Sequence, residues 1–478
     1  MAFLIGGANS AADTAYDVAN SCRFNDGDSA YMHKTCSSAF DTDRWTISIW
    51  FKRGNLGLDT RLISCDNDDG SNDDYIRFDT ADQMEFMIYE GSSIVGLLKP
   101  NMVFRDVGAF YHLVCVWDSA NGTAGNRMRM YVNGTEVTSF ETDTNPTSGA
   151  NASWGNTSHP IEVGRRGSNG TQYFDGYIAE VAVCDGQAYA ASDFGEFDED
   201  SPTIWKPKDV SGLTFGTSGF YLDFEASDNL GNDANGGTDF TEVNLAAADQ
   251  ATDTPTNNFC TLNPLDNYYS AATFSEGNCK IVTNSGSYGP WKSGTFGIFD
   301  AGKWYWEIKV ATTCNDKDWI GLAGVNPVAV SKTLGFYDVT ASYYSNDGKR
   351  YADNTGYTFG DTYTTGDIIS VAADLDNRRL YWAKNGTWQN SGDPESGASG
   401  TGGHGLNAPP ALDNGMWHPA VGDGDGSNSG TYEVNFGGCP AFAISSGNTD
   451  TAGYGNFEYA VPDGYYALCS KNMGLYGG

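Results

Sequence analysis

The feature that most constrains this chain is a rhythm of short segments in which apolar and polar residues alternate, bounded by Gly, Asn, Asp and Ser. WTISIWFKR (45–53), YHLVCVW (111–117), KWYWEIKVA (303–311) and IISVAADLD (368–376) are examples. A period of two puts alternate side chains on opposite faces of a strand, and sustained helical periodicity is hard to find. Two of these segments turn at Asn-Gly, in RMRMYVNGTEV (127–137) and RLYWAKNGTW (379–388). Asn-Gly fits the two-residue hairpin whose central residues both need positive φ. The expectation is an all-β protein: two antiparallel, jelly-roll-like β-sandwiches joined by an ordered linker.

The segments fall into two series. Residues 1–22 read as a small-residue lead-in suited to attachment, and residues 23–200 as a first sandwich. Residues 201–259 shift in composition and read as a linker that returns one strand, GFYLDFEAS, to that sandwich. Residues 260–478 resume the strand series as a second sandwich, broken by a Gly-Ser-Pro segment at 391–415. That segment is too long for a hairpin, so it is expected to be exposed, mobile or ligand-facing.

Composition narrows the partners. The formal charge of −34 argues against nucleic acid, because phosphate binding needs clustered Lys and Arg. It fits a solvated acidic surface that keeps an assembly soluble. Ten Cys are scattered without zinc-type spacing and lie mostly inside apolar runs, so buried free thiols are expected. No apolar run approaches the roughly 18 residues of a membrane span, and the N-terminus lacks a basic, secretory pattern. Neither membrane insertion nor secretion by a signal peptide is expected.

Two resemblances are carried by motifs in order. GKWYWEIKV, WIGLAGV, YYSNDGKRYADNTGYTFGDTYTTGDIISVAADLDNRRLYWAKNG, WHPAVGDG and YEVNFGG resemble a SPRY domain across residues 265–470. That resemblance implies a bent two-sheet sandwich serving as a protein-interaction module, with the 391–415 segment altering its binding rim. RFNDGDSAYM, WTISIWFKRG, YHLVCVWDSANG with MRMYVNGTEV, and FDGYIAEVAVCDG resemble the laminin-G or pentraxin-like concanavalin A-like sandwiches across residues 20–200. Such domains bind glycans, often through an edge calcium, or bind proteins. The combination is similar to virion appendage proteins of tailed phages, especially marine ones.

Catalytic motifs are sparse. A retaining glucanase needs two carboxylates about 5 Å apart, facing the sugar from one strand. The nearest string, Glu196 to Asp200 (EFDED), lies in a connector. No G-x-S-x-G or H-E-x-x-H occurs, and His112 and His418 read as structural hydrogen-bond partners. No cofactor is implied firmly; calcium is the candidate. Asp66, Asp68, Asp69, Asp73 and Asp74 surround a Gly on an acidic turn, with Asp423 and Asp425 a second, weaker set. Hard oxygen donors on a flexible loop suit calcium, although a plain solvated turn is the commoner outcome.

Exposed aromatics would reveal a glycan reader, because sugar faces stack on them. Trp304 and Trp306 share one strand face and are expected in the core. Trp154, Tyr173, Tyr351 and Trp388 lie on turns and are the surface candidates. Arg165 and Arg166, adjacent cations in an acidic chain, could pair within an oligomer or hold an acidic sugar. The expectation is a non-enzymatic phage virion protein: a tail fibre or adhesin binding a host-surface glycan or protein. Capsid decoration or adaptor is the alternative, and glycan depolymerase a more remote one. Partners would be other virion proteins through the N-terminal segment, in a homotrimer assembled in host cytoplasm and released by lysis.

Overall fold

The computed structural model describes residues 16–66, 70–167, 170–267, 271–284, 291–324, 333–336, 339–407 and 415–477. The chain is all-β, and it divides into two compact units at residues 256/257.

In the first unit two eight-stranded antiparallel sheets stack face to face. One runs from Thr135–Glu136 through Met128–Val132, Tyr111–Asp118, Arg44–Arg53 and Gly176–Asp185 to Ser21–Phe24 and Gln250–Ala251. The other runs from Phe140–Thr144 through Ser93–Pro100, Met84–Glu90, Asp73–Phe78, Thr60–Asp66, Ile161–Val163 and Tyr31–Lys34 to Thr241–Val243. Alternation decides the core: Trp45, Ile47, Ile49 and Phe51 from one strand pack with Ile63, Ile76, Phe78 and Phe86 of the facing sheet. Each such fully buried side chain contributes about 1.5–3 kcal/mol.

The opposite face of Arg44–Arg53 is buried as well. Thr46 donates to the Gln187 carbonyl at 2.8 Å, and Trp205 stacks on His112, which stacks on Trp50. Residues 201–256 of the expected linker are therefore built into the first unit, while Phe259 pairs with Cys469 in the second. They supply three separate strands to the two large sheets, Phe220–Leu222 on Gly176–Asp185, Thr241–Val243 on Tyr31–Lys34 and Gln250–Ala251 on Ser21–Phe24, and a fourth, Trp205–Pro207, on Gly195–Phe197, where the sequence suggested one. The lead-in differs too. Residues 1–15 lie outside the described residues, but Ser21–Phe24 is a sheet strand and Val18 N–H donates to Thr256. The expected attachment segment is thus partly sandwich.

The second unit pairs a nine-stranded sheet with a six-stranded one. Lys303–Thr312 lies between Ile368–Asp374 and Thr431–Asn435 at its centre. Trp304 and Trp306 are fully buried in the core between the sheets, as their shared face required. Both Asn-Gly hairpins close as expected, with positive φ at Asn133 and Gly134 and at Asn385 and Gly386. The segment after the second hairpin is more ordered than its composition suggested. Pro394–Ser399 forms 3-10 turns, His404–Gly405 adds to Arg379–Lys384, and Tyr465 donates to the Pro394 carbonyl at 3.0 Å. Residues 408–414 lie outside the described residues. All ten Cys are buried, and none forms a disulfide. Among the described residues no helix is long and apolar enough to cross a membrane.

Candidate binding sites

A concavity of the first unit grows out of an irregularity in Gly176–Asp185. One edge of this strand pairs with Arg44–Arg53; along the other its partner changes from Ser21–Phe24 to Phe220–Leu222. At the changeover the register slips between Ala179 and Val181, and Glu180 takes a left-handed backbone, φ +49°. A bulge of this kind re-aims one side chain out of the alternation. Here it turns Glu180 toward two tyrosines. Tyr221 donates to Glu180 Oε1 at 2.7 Å, Tyr16 donates to the same oxygen, and the two hydroxyls are 3.1 Å apart.

In front of those tyrosines lies a cavity of about 430 Å³, lined by Tyr16, Phe215 and Tyr221 together with Asp209, Ser211, Asp223 and Glu225. Its size falls within the range of small-ligand pockets. Phe215 and Tyr221 stack at 5.9 Å and are buried, whereas Asp209, Ser211 and Glu225 are exposed at the mouth. Burial, then the charges of Asp223 and Asp209, push the Glu180 carboxyl up to about 7, against the pull of its tyrosine hydrogen bonds. Glu180 is 4% exposed and stands behind the tyrosines rather than among the lining residues.

None of this cavity was selected from the sequence. A signal existed: Glu180 is an ionisable residue in the middle of GYIAEVAVC, a run otherwise fit for a core strand. The tyrosines that meet it are 164 and 41 residues away, and no local pattern joins them.

Three of the selected residues of the first unit, Arg166, Asp66 and Asp73, come together in ion pairs. Arg166 pairs with Asp66 at 3.0 Å and Asp73 at 3.2 Å, and Asp73 also pairs with Arg61. Asp74 is buried and accepts from the backbone N–H groups of Tyr89 and Ser153. Guanidinium groups and backbone donors thus occupy the oxygens a calcium ion would need; Asp68 and Asp69 lie outside the described residues. In the second unit Asp425 accepts from Asn315, Asn428 and the Ser427 N–H, and these bonds hold its carboxyl down at about 2. Asp423 is buried, 1% exposed. Among the described residues no group of three potential ligands could hold a metal ion.

Arg165 forms a bidentate pair with Glu162 and lies over the Tyr31 ring, 3.4 Å from its centre, with Tyr173 packed against Tyr31. This half-buried patch keeps Arg165 and Tyr173 together on one sheet face. Trp154 does not belong to any surface: it is 2% exposed and packs against Trp45 in the core. Trp388 is half-buried against the Phe259, Tyr305, Tyr381 and Phe457 cluster. Tyr351 joins an aromatic group on the six-stranded sheet, where Trp319 stacks on Tyr344 at 3.8 Å and meets Phe336 and Tyr351 at 5.2 and 5.1 Å. Phe336, Tyr344 and Tyr351 are each partly exposed.

A serine–histidine contact exists but is arranged against catalysis. Ser48 Oγ lies 2.8 Å from His112 Nε2, while Trp205 Nε1–H donates to His112 Nδ1 at 2.9 Å. With Nδ1 accepting, a neutral ring carries its proton on Nε2 and donates to Ser48, so it cannot draw a proton from it. Burial drives the His112 pKa down to about 3 and keeps it neutral.

Residues 25–191 match the family model of the concanavalin A-like lectin/glucanases superfamily, and residues 303–394 match that of the SPRY domain. The chain therefore carries a laminin-G-type, concanavalin A-like domain followed by a SPRY domain. It is similar to Ran-binding protein 9 of Homo sapiens and of Danio rerio, 33% identical over 89 residues, which is 18% of this chain. It spans only 12% and 14% of those two proteins. Among solved structures it is similar to the SPRY domain of human HERC1, at 16% identity over 38% of this chain and 99% of that one, TM-score 0.28. It is also similar to a heptameric pentraxin of Limulus polyphemus, at 15% identity over 37% and 80%, TM-score 0.26.

Proposed function

We propose that this is a non-enzymatic binding protein of a phage particle, a tail fibre or adhesin, whose concanavalin A-like unit holds a host-surface glycan. The observation that carries this reading is the cavity in front of Tyr16 and Tyr221. Its carboxylates accept from sugar hydroxyls at the mouth, and its aromatic floor offers apolar faces for a ring to lie on. Binding rather than hydrolysis follows from Glu180. The raised carboxyl beside this cavity is screened by two tyrosine hydroxyls and does not face the cavity. Weak single sites gain strength from display in several copies, for which a homotrimer suffices.

The aromatic group around Trp319 favours a second reading, an adaptor or capsid decoration that docks a protein through the SPRY unit. Aromatic side chains dominate protein interfaces, and these are partly exposed. The test is retention of host-surface polysaccharides by the full chain, compared with Asp223→Asn and with reducing-end release. Retention without release, weakened about tenfold or more by the substitution, is expected. Release of reducing ends would make the protein a depolymerase. Retention indifferent to Asp223, or none at all, would move the account to the adaptor.

A further inference from the structure

Arginines in this acidic chain generally sit against carboxylates, as Arg23 does on Asp249, Arg53 on Asp82, and Arg378 on Asp300. Arg350 and Arg379 depart from that habit, as do Arg127, which donates to two carbonyls, and Arg129, which donates to the Tyr131 hydroxyl. No carboxylate of the described residues pairs with the guanidinium of Arg350 or of Arg379. Arg379 stands opposite Asp374 in the strand register, but that carboxylate is committed to Lys303 at 3.3 Å and to Asn377 at 2.8 Å. The Arg379 Nε–H is enclosed and meets no acceptor.

The enclosure is built by the segment that follows the second hairpin. A Cβ at Gly400 would lie 2.0 Å from Arg379 Nε, and one at Gly405 would lie 2.8 Å from its Nη1. The chain thus lies close against the guanidinium, and a side chain at Gly400 would displace it. Between the two arginines sits His404, next to Gly405 on the short strand paired with Arg379–Lys384. Arg350 Nη1 meets His404 Nδ1 at 2.6 Å, and its guanidinium lies over the Tyr357 ring, 4.2 Å from the centre. A neutral imidazole accepting from arginine at Nδ1 carries its proton on Nε2, adding a donor to those of the guanidiniums.

Two like charges converging on a partly buried site, with a donor unspent and no acid of the described residues paired with them, call for a negative partner. Guanidinium forks match carboxylate, sulfate and phosphate geometry. We propose that Arg350, Arg379 and His404 form an oxyanion site on the second unit, filled by the carboxylate, sulfate or phosphate of a ligand. This inference does not depend on the cavity of the first unit.

The test uses the full chain with 15N-labelled histidine, His404 assigned by His404→Gln. Burial and the two flanking guanidiniums hold the His404 pKa down at about 3. An anion bound between the arginines relieves part of that. Sodium glucuronate, sulfate and inorganic phosphate at millimolar concentration, against sodium chloride at matched ionic strength, should raise the pKa by about one unit or more for at least one of them. The most effective anion identifies the source. Arg379→Gln should weaken the response about tenfold, and Arg379→Lys should retain charge but lose the fork, giving an intermediate response. An unchanged His404 with all three anions would overturn the proposal. So would an equal response in a folded Arg379→Gln or Arg379→Lys chain.

Discussion

Each unit buries a glutamate in the middle of a strand, and the two are treated in opposite ways. Glu307, in Lys303–Thr312, accepts four hydrogen bonds: from the backbone N–H groups of Glu458 and Tyr459, from the Tyr305 hydroxyl and from Asn435 Nδ2. Burial raises its pKa and those bonds oppose the rise. Glu180 has two tyrosine hydroxyls, both on one oxygen, and two acidic neighbours that add to the burial effect. Glu307 is a staple that ties residues 458–459 to the sheet. Glu180 is under-supported, and it stands behind a cavity. A buried acid alone therefore does not single out a candidate site; a buried acid short of donors beside a cavity is the stronger pointer to one.

Substitution can break the comparison. Glu307→Gln places an amide NH₂ where one oxygen accepted two hydrogen bonds, so donors face donors. A loss of about 2–4 kcal/mol is expected by chemical denaturation, with loosened packing of residues 457–469. If Glu307→Gln were neutral, the staple would be wrong.

Glu180→Gln should act the other way above neutrality. A folded-state pKa raised to about 7 from the ordinary 4.5 favours the folded chain when protonated. That contribution is full below the ordinary value and is lost as pH rises through about 7. Glutamine removes the loss, so at pH 8 the variant should be more stable than the natural chain by about 2–3 kcal/mol. Near pH 5 the gap should nearly close. Denaturant midpoints at the two pH values check the sign. An equal gap at both would mean that Glu180 is not a titrating strain.

The sequence made the framework legible, because alternation and turn chemistry are local. WTISIWFKR had to bury Trp45, Ile47, Ile49 and Phe51 together, and Asn133-Gly134 and Asn385-Gly386 had to turn. The sites were less legible because they are assembled from distant segments. Arg166 reaches Asp66 across 100 residues, so an acidic turn that reads as a calcium loop is occupied by an arginine. Trp154 lies on a turn that folds inward against Trp45, which no neighbour in sequence announces. Tyr16 and Tyr221 meet at Glu180 only once the strand partner of Gly176–Asp185 changes. What local reading could have supplied was Glu180 itself, a charge inside a core strand.

The central claim, that the cavity beside Glu180 holds the ligand and the Glu307 network does not, can be tested by carboxyl ¹³C NMR of the full chain with labelled glutamate. Titration with and without the best-retained glycan gives both residues at once. The account predicts a Glu180 pKa near 7 that shifts on glycan binding while Glu307 stays unmoved. A Glu180 value near the ordinary 4.5, or a glycan that moves Glu307 and leaves Glu180 alone, would contradict it.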